Sequence, residues 1–275
     1  MIVPWQKPLR GAQINPAHPL ARGLVSAWAF NEMGGLPFDL IRHQPAISVV
    51  TADWATGVGG AGFNFPNTSG NSVRIKSGSL LGGLPAWTVC IYYSTTAGAP
   101  GTLYAERGSS GNDILKLQSY STDRMFYRYV YRNDAGTLFY KDSSASHPPV
   151  NDGLMHMSVM QRDGAVIRGY YDGKLDMSET YAGGTDCSFT DATNQCWIGA
   201  DQGDSSNYCN GNIYAVFLYS RALTPEEVSF LAAAPYCMFS RRADIGAFEY
   251  VVKWNGITPA KWNGVDWSNL KWNGM

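Results

Sequence analysis

Cleavage of a sugar–sugar bond needs two carboxylates, about 5–5.5 Å apart in a retaining enzyme. Of the 22 acidic residues only Glu226 and Glu227 adjoin. They follow Thr224-Pro225, where a helix would start, and serve its capping and its dipole. The four histidines, His18, His43, His147 and His156, show no metal-ligand spacing and no Ser or Cys partner in a nucleophile turn. His156 lies between Met155 and Met157 in an apolar run and reads as a packing residue. Five cysteines, Cys90, Cys187, Cys196, Cys209 and Cys237, match neither a zinc ribbon nor a redox pair. Cys90 reads as a small buried side chain. Cys187, Cys196 and Cys209 fall near loops and strand ends, where a disulfide between two of them is left open. No catalytic residue is assigned, and no enzyme is expected. The residues best suited to holding a ligand are Tyr127, Tyr129 and Tyr131, which alternation places on one strand face with Arg128 and Arg132 on the other. Such a row can stack on sugar rings and offer hydroxyls, or it can line a core or a protein interface.

These side chains need a β framework, and the chain supplies one. Between Gly211 and Leu231, Ile213, Ala215, Phe217 and Tyr219 alternate with Tyr214, Val216 and Leu218, so both strand faces are apolar and each must be covered. Thr224 then caps a helix of about three turns, with Pro225 at the first position and Glu227 closing a capping box. Asp163-Gly164 and Asp172-Gly173 accept the positive φ of type I′ turns and join three consecutive strands as hairpins. With 30 glycines, 13% aromatics and 275 residues, the reading is one all-β domain: a two-sheet antiparallel jelly roll with one short helix near its C-terminal end. Net charge is −1 with 16% charged residues. No basic cluster of the kind polyanions need is visible along the sequence, so nucleic acid is not expected as a partner. No apolar run approaches a membrane span, so no membrane partner is expected either. The start, MIVPWQKPLR, lacks the pattern of a standard secretion signal.

Several segments, in order, resemble laminin-G-like domains of the concanavalin A-like lectin and glucanase superfamily. Residues His18 to Glu32 look like the opening strand, with Leu24, Ser26, Trp28 and Phe30 on one face. Asp39 follows a Gly34-Gly35 loop. Gly62-Phe63-Asn64-Phe65 resembles the approach to the second strand, Trp87 to Tyr93 a central strand, and Tyr170 to Leu175 a "Y-x-D-G-K-L" hairpin. Met155 to Val159 stands where the family often has Trp-His-His-Val-Ala, with Met155 in place of Trp. The closing strand runs into a "YSRAL" turn, Tyr219 to Leu223. This resemblance implies the jelly-roll fold and glycan binding. It also implies that Ca²⁺ is the one cofactor to consider, with Asp39, Asp201 and Asp204 as candidate ligands. Superfamily glucanases carry Glu-x-Asp-x-x-Glu on one strand, and this chain has no such run.

Three segments stand apart: an extended arm over residues 1–22, a connector over 241–252, and a tail over 253–275. The jelly roll occupies 23–240. The tail repeats Lys-Trp-Asn-Gly at 253, 261 and 271. Each Asn-Gly should reverse the chain, and a ribbon this small cannot bury its own tryptophans. Trp254, Trp262, Trp267 and Trp272 are therefore the candidate interface, facing another copy, another protein or their own domain. Arm and tail resemble the ends of structural proteins of tailed bacteriophages. That resemblance implies a virion-surface protein, a capsid decoration or fibre-like component, whose partners are other virion proteins, copies of itself and cell-surface glycans. The alternative is a carbohydrate-binding adhesion module of a bacterial surface protein.

Overall fold

A ten-residue strand from Asn210 to Tyr219 runs through the centre of the larger of two sheets, buried throughout from Ile213 onward. The structure is a computed structural model. It describes residues 7–66, 72–97, 101–107, 114–121, 124–132, 138–141, 151–180, 195–200, 208–240, 261–262 and 265–266; of these, 77, 107, 114, 118–121, 124–132, 138–141, 261–262 and 265–266 are described through the backbone alone. The first strands are β1 (Leu24–Trp28), β2 (Phe38–Asp39), β3 (Gln44–Pro45), β4 (Ser48–Val50), β5 (Asp53–Gly57) and β6 (Gly60–Pro66). Next come β7 (Ser72–Ser77), β8 (Ala86–Ser94), β9 (Thr102–Arg107), β10 (Ile114–Ser121), β11 (Arg124–Arg132) and β12 (Leu138–Lys141). β13 (His156–Asp163), β14 (Val166–Tyr171), β15 (Lys174–Thr180), β16 (Gln195–Ile198), β17 (Asn210–Tyr219) and α1 (Pro225–Ala233) follow.

One sheet has the order β15-β14-β13-β8-β17-β1-β2-β3, with β6 also pairing β17 and β5 pairing β6; the other has the order β12-β11-β10-β9-β16-β7-β4. Every pairing between these strands is antiparallel. The expected two-sheet jelly roll is therefore present, with one α-helix among the described residues.

The main core lies between the sheets, where Trp28, Phe63, Phe65, Ile91, Val216 and Leu218 meet Val73, Leu103, Leu115, Leu117 and Ile198. A second apolar layer covers the outer face of the larger sheet. There Tyr92, Ala215, Phe217 and Tyr219 pack under Leu20 of the arm, Val228 and Leu231 of α1, and Tyr236, Met238 and Phe239 beyond it. Burying each such aliphatic or aromatic side chain contributes about 1.5–3 kcal/mol, which is why β17 is apolar on both faces. Gly199, just past β16, marks a close approach between sheets: its φ is +80°, and any β-carbon there would collide with the Phe65 ring.

Two bulges correct the simple alternation. The pairing of β17 with β8 slips between Ile213 and Ala215. Ile213 consequently joins Val216 and Leu218 in the inner core instead of sharing the face of Ala215 and Phe217. The pairing of β1 with β17 slips between Leu24 and Ser26. Leu24 therefore goes to the outer layer while Trp28 and Phe30 stay inside. One extra residue on one strand re-aims every side chain before it.

Local signals behave as their chemistry dictates. Thr224 accepts from the Glu227 amide and the Glu227 side chain returns to the Thr224 amide, with Pro225 at the helix start. Asp172 and Gly173 both have positive φ, 46° and 81°, between the paired Tyr171 and Lys174, as type I′ requires. The other hairpin differs. Asp163 pairs with Val166, and of the central residues Gly164 and Ala165 only Gly164 has positive φ. Glycine at the first central position is the arrangement of type II′, which leaves Ala165 unstrained.

Residues 7–22 lie on their own domain. Ile14 bridges Phe239, the Asn15 amide donates to the Met238 carbonyl at 2.8 Å, and the Ser240 amide donates to the Gln13 carbonyl at 2.8 Å. Lys7 Nζ donates to the carbonyls of Tyr214, at 2.7 Å, and Ala61. The chain divides into two compact units, Met1–Ser240 and Arg241–Met275. In the second, β18 (Lys261–Trp262) pairs β19 (Val265–Asp266), with Trp262 opposite Val265. The two-residue reversal expected at the second KWNG repeat is thus present; the other two repeats lie outside the described residues.

Candidate functional site

The smaller sheet has a face turned away from the core, and register decides what stands on it. Directly opposed residues of neighbouring antiparallel strands share a face. Ser48 opposes Arg74, Arg74 opposes Trp197, Trp197 opposes Ala105, Ala105 opposes Lys116 and Lys116 opposes Arg128. This row crosses six strands, and its intervening partners Val73, Ile198, Leu115 and Leu117 are all buried in the core. Arg107 stands in the next row, opposite Gln195 and Ile114. Cations that are scattered in sequence at 74, 107, 116 and 128 are brought by pairing onto one face. Among the described residues the two rows hold no Asp or Glu.

The accessible end of the row is at β7 and β16. Ala105 and Lys116 are buried, whereas Ser48, Arg74, Gln195 and Trp197 are half-buried. The Arg74 guanidinium carbon lies 5.9 Å from the centre of the Trp197 ring, a cation–π distance. Three polar atoms here are buried without a hydrogen-bond partner: Arg74 Nε, Trp197 Nε1 and Gln195 Oε1. More than about nine in ten buried polar groups are paired in proteins. Two donors, on β7 and β16, and one acceptor, on β16, are thus left with unused hydrogen-bonding capacity at this face. An indole face beside them supplies a stacking platform.

The residues named from sequence fall elsewhere. Position 127 opposes Leu117 and position 129 opposes Leu115, so Tyr127 and Tyr129, with Tyr131 two further on, occupy the register of the core-facing leucines. Arg128 has the outward register. Asp39 is fully buried: one oxygen accepts from Ser26 Oγ at 2.7 Å, the other from the amides of Ala27, Ile41 and Arg42 at 3.1, 2.9 and 3.2 Å. It ties β1 to the loop after β2. Calcium needs six to eight oxygens, and a sealed carboxylate already accepting four hydrogen bonds does not fit that ion. Asp201, Asp204, Trp254, Trp267, Trp272 and Cys187 lie outside the described residues, and Trp262 is placed through its backbone in β18. No group of three or more His, Cys, Asp or Glu suited to a metal occurs among the described residues. Cys90, Cys196 and Cys237 are free thiols, and burial pushes the Cys90 thiol up to about 12.

Two charged clusters were missed from sequence. Glu106 is fully buried on the inner face and accepts from Tyr104 Oη at 2.7 Å, from the Leu81 amide at 3.0 Å and from Ser79 Oγ. It pins the 79–82 loop to the sheet. His156 does pack, with its ring 5.1 Å from that of Tyr171, but it is also bridged. Its Nδ1 faces Asp172 Oδ2 at 2.8 Å and its Nε2 faces Asp152 Oδ1 at 2.9 Å, while Tyr171 Oη lies 2.6 Å from Nδ1. Burial alone would lower the histidine's pKa; the hydrogen bonds and charges of Asp172 and Asp152 outweigh it, and the net shift is upward. The i, i+4 spacing of Asp152 and His156 was the one visible hint, and Asp172 is brought there only by its turn.

An antiparallel jelly-roll sandwich of this topology defines the class of protein. A family model described as Laminin_G_3, Concanavalin A-like lectin/glucanases superfamily, matches residues 67–229, and the chain belongs to that family. Among solved structures, it is similar to domain 4 of AbnA, a GH43 extracellular arabinanase from Geobacillus stearothermophilus, in complex with arabinotriose. That likeness has 17% identity and a TM-score of 0.54, covering 76% of this chain and 98% of the other. It is also similar to the binding domain of Paraclostridial Mosquitocidal Protein 1, with 10% identity and a TM-score of 0.60 over 78% of this chain and 52% of the other. The botulinum neurotoxin serotype G binding domain matches with 13% identity and a TM-score of 0.53, over 76% of this chain and 50% of the other. The chain thus spans about half the length of these toxin binding domains. At such identities the likenesses show the fold. A comparison with curated proteins finds no match.

Proposed function

We propose that the protein is a non-catalytic, glycan-binding jelly roll and a structural component of the virion surface of a tailed bacteriophage. The observation that carries the binding half is the trio of unpartnered polar atoms around the Trp197 ring, Arg74 Nε, Trp197 Nε1 and Gln195 Oε1. A saccharide offers what they lack: hydroxyls that donate to the amide oxygen, oxygens that accept from the two N–H groups, and a C–H face for the indole. The domain of the Geobacillus arabinanase, solved with arabinotriose, supports the reading as an instance of this fold beside a saccharide. Glycosidases flank the scissile bond with two carboxylates, and among the described residues the two outward rows carry no such pair, which favours a role without hydrolysis. The virion half rests on the termini, a proline-rich arm and three KWNG repeats.

A glycan array tests the binding. Wild-type protein should give saccharide-specific signals that Trp197→Ala removes while melting temperature changes little, because the ring is only half-buried. Unchanged binding in that variant would move the site elsewhere. Mass spectrometry of gradient-purified phage particles tests the location: the chain should copurify with capsid and tail proteins. Recovery from a bacterial cell surface instead would favour the adhesion-module reading.

A further inference from the structure

We infer that the saccharide taken at this face is anionic, its carboxylate or sulfate held by Arg74 on Trp197; the inference rests on the glycan-binding reading above. The whole chain is nearly neutral, with 21 Lys and Arg against 22 Asp and Glu. An average stretch of its surface would carry both signs. The outward rows do not: Arg74, Lys116 and Arg128 share one row, Arg107 stands in the next, and among the described residues no acid is interspersed. From the strand of Arg74 to that of Arg128 is four strand spacings, about 19 Å, so the basic positions span more than a single sugar unit.

Arg74 is the contact residue. Among the described residues it forms no salt bridge, in contrast with Arg221, which is bound by Glu227, and Arg168, which is bound by Asp163. A guanidinium lying over an indole is held in plane, and its fixed fork of N–H groups matches a carboxylate or sulfate better than a neutral hydroxyl. The unmet Trp197 Nε1–H lies on the adjoining strand and can donate to a second oxygen of the same unit. The unmet Gln195 acceptor requires a donor from the ligand. A phosphate chain without hydroxyls lacks that donor, whereas an acidic sugar has it.

The test uses the full chain and four polymers: polygalacturonate, the same polymer with its carboxyl groups reduced to alcohols, dextran sulfate and unmodified dextran. Inorganic polyphosphate is the non-saccharide anion. Calorimetric or affinity-electrophoresis titration should show at least tenfold tighter binding of an acidic polymer than of its neutral counterpart, weakened by salt as surface charge pairs are. Which acidic polymer wins distinguishes carboxylate from sulfate. Arg74→Gln should remove most of that preference while leaving residual binding to the neutral polymer, and Arg74→Lys should retain part of it. Thermal melts of both variants confirm folding, and the lysine variant carries the test if the glutamine one does not fold. Equal binding of acidic and neutral forms, abolished by Trp197→Ala, overturns the anionic inference and leaves the glycan reading standing. Equal or tighter binding of polyphosphate overturns the inference as well, since bare charge would then suffice. No binding to any of the four saccharides, on a folded protein, overturns both.

Discussion

His156 should make the stability of the first unit depend on pH in a defined direction. Both ring nitrogens face carboxylates, at 2.8 and 2.9 Å, so both need a proton and the bridge is complete only in the imidazolium form. The folded pKa is raised. The stabilisation is therefore fully present below the unfolded value of about 6.5 and is lost as pH rises through the higher folded value. Charge-assisted hydrogen bonds contribute about 1.5–3 kcal/mol each. Asp152 and Asp172 are 43% and 40% exposed, and screening by solvent reduces each bond toward about 1 kcal/mol. His156→Phe keeps a ring beside Tyr171 but has no N–H, and should cost about 2 kcal/mol in mildly acidic solution. For a domain of this size that is about 4–8 °C in Tm. Melting curves of wild type and variant across about pH 5.5–9 should show the gap widest at the acidic end and closing upward. Lys7 titrates in the opposite sense: burial, partly offset by Glu32, pulls its pKa down to about 7, so its cost is relieved as pH rises. Both proteins share that effect, which is why the difference between them is the quantity to read. A gap that stays constant or widens with rising pH would refute the imidazolium bridge.

Tyr129 has the register of the core-facing Leu115, so Tyr129→Ala should lower the melting temperature by several degrees and leave a glycan signal at Trp197 in place; loss of binding at unchanged stability would restore the tyrosine row as the ligand face. Deleting residues 241–275 should leave a folded first unit, which has its own core, but one that no longer self-associates. Light scattering on both forms decides it, since equal masses would mean that the KWNG segment joins no chains together.

Local chemistry was legible in the sequence wherever a few neighbouring residues determine the outcome. The Thr224 capping box, the Asp172-Gly173 turn and the reversal between Trp262 and Val265 are all of this kind. The two bulges were not, because β1 and β17 are apolar on both faces and an extra residue leaves no mark on such a pattern. The candidate site was illegible for a stronger reason. Arg74 and Trp197 are 123 positions apart, and only the pairing of β7 with β16 makes them neighbours. A search along the chain finds no basic cluster since the cluster runs across strands. The tyrosines at 127, 129 and 131 alternate along one strand, but alternation alone does not say which face looks inward. That information resides in Leu115 and Leu117 on the adjoining strand.

The pairing of Ile14 with Phe239, flanked by the Asn15–Met238 and Gln13–Ser240 hydrogen bonds, gives the first unit a front and a back. Both ends of its chain are fastened within the outer layer of the larger sheet, among Leu20, Phe217 and Met238, and Trp197 stands on the far side of the other sheet. The fastened ends and the position of Trp197 are kept apart by the full thickness of the sandwich, so a contact made at one leaves the other uncovered.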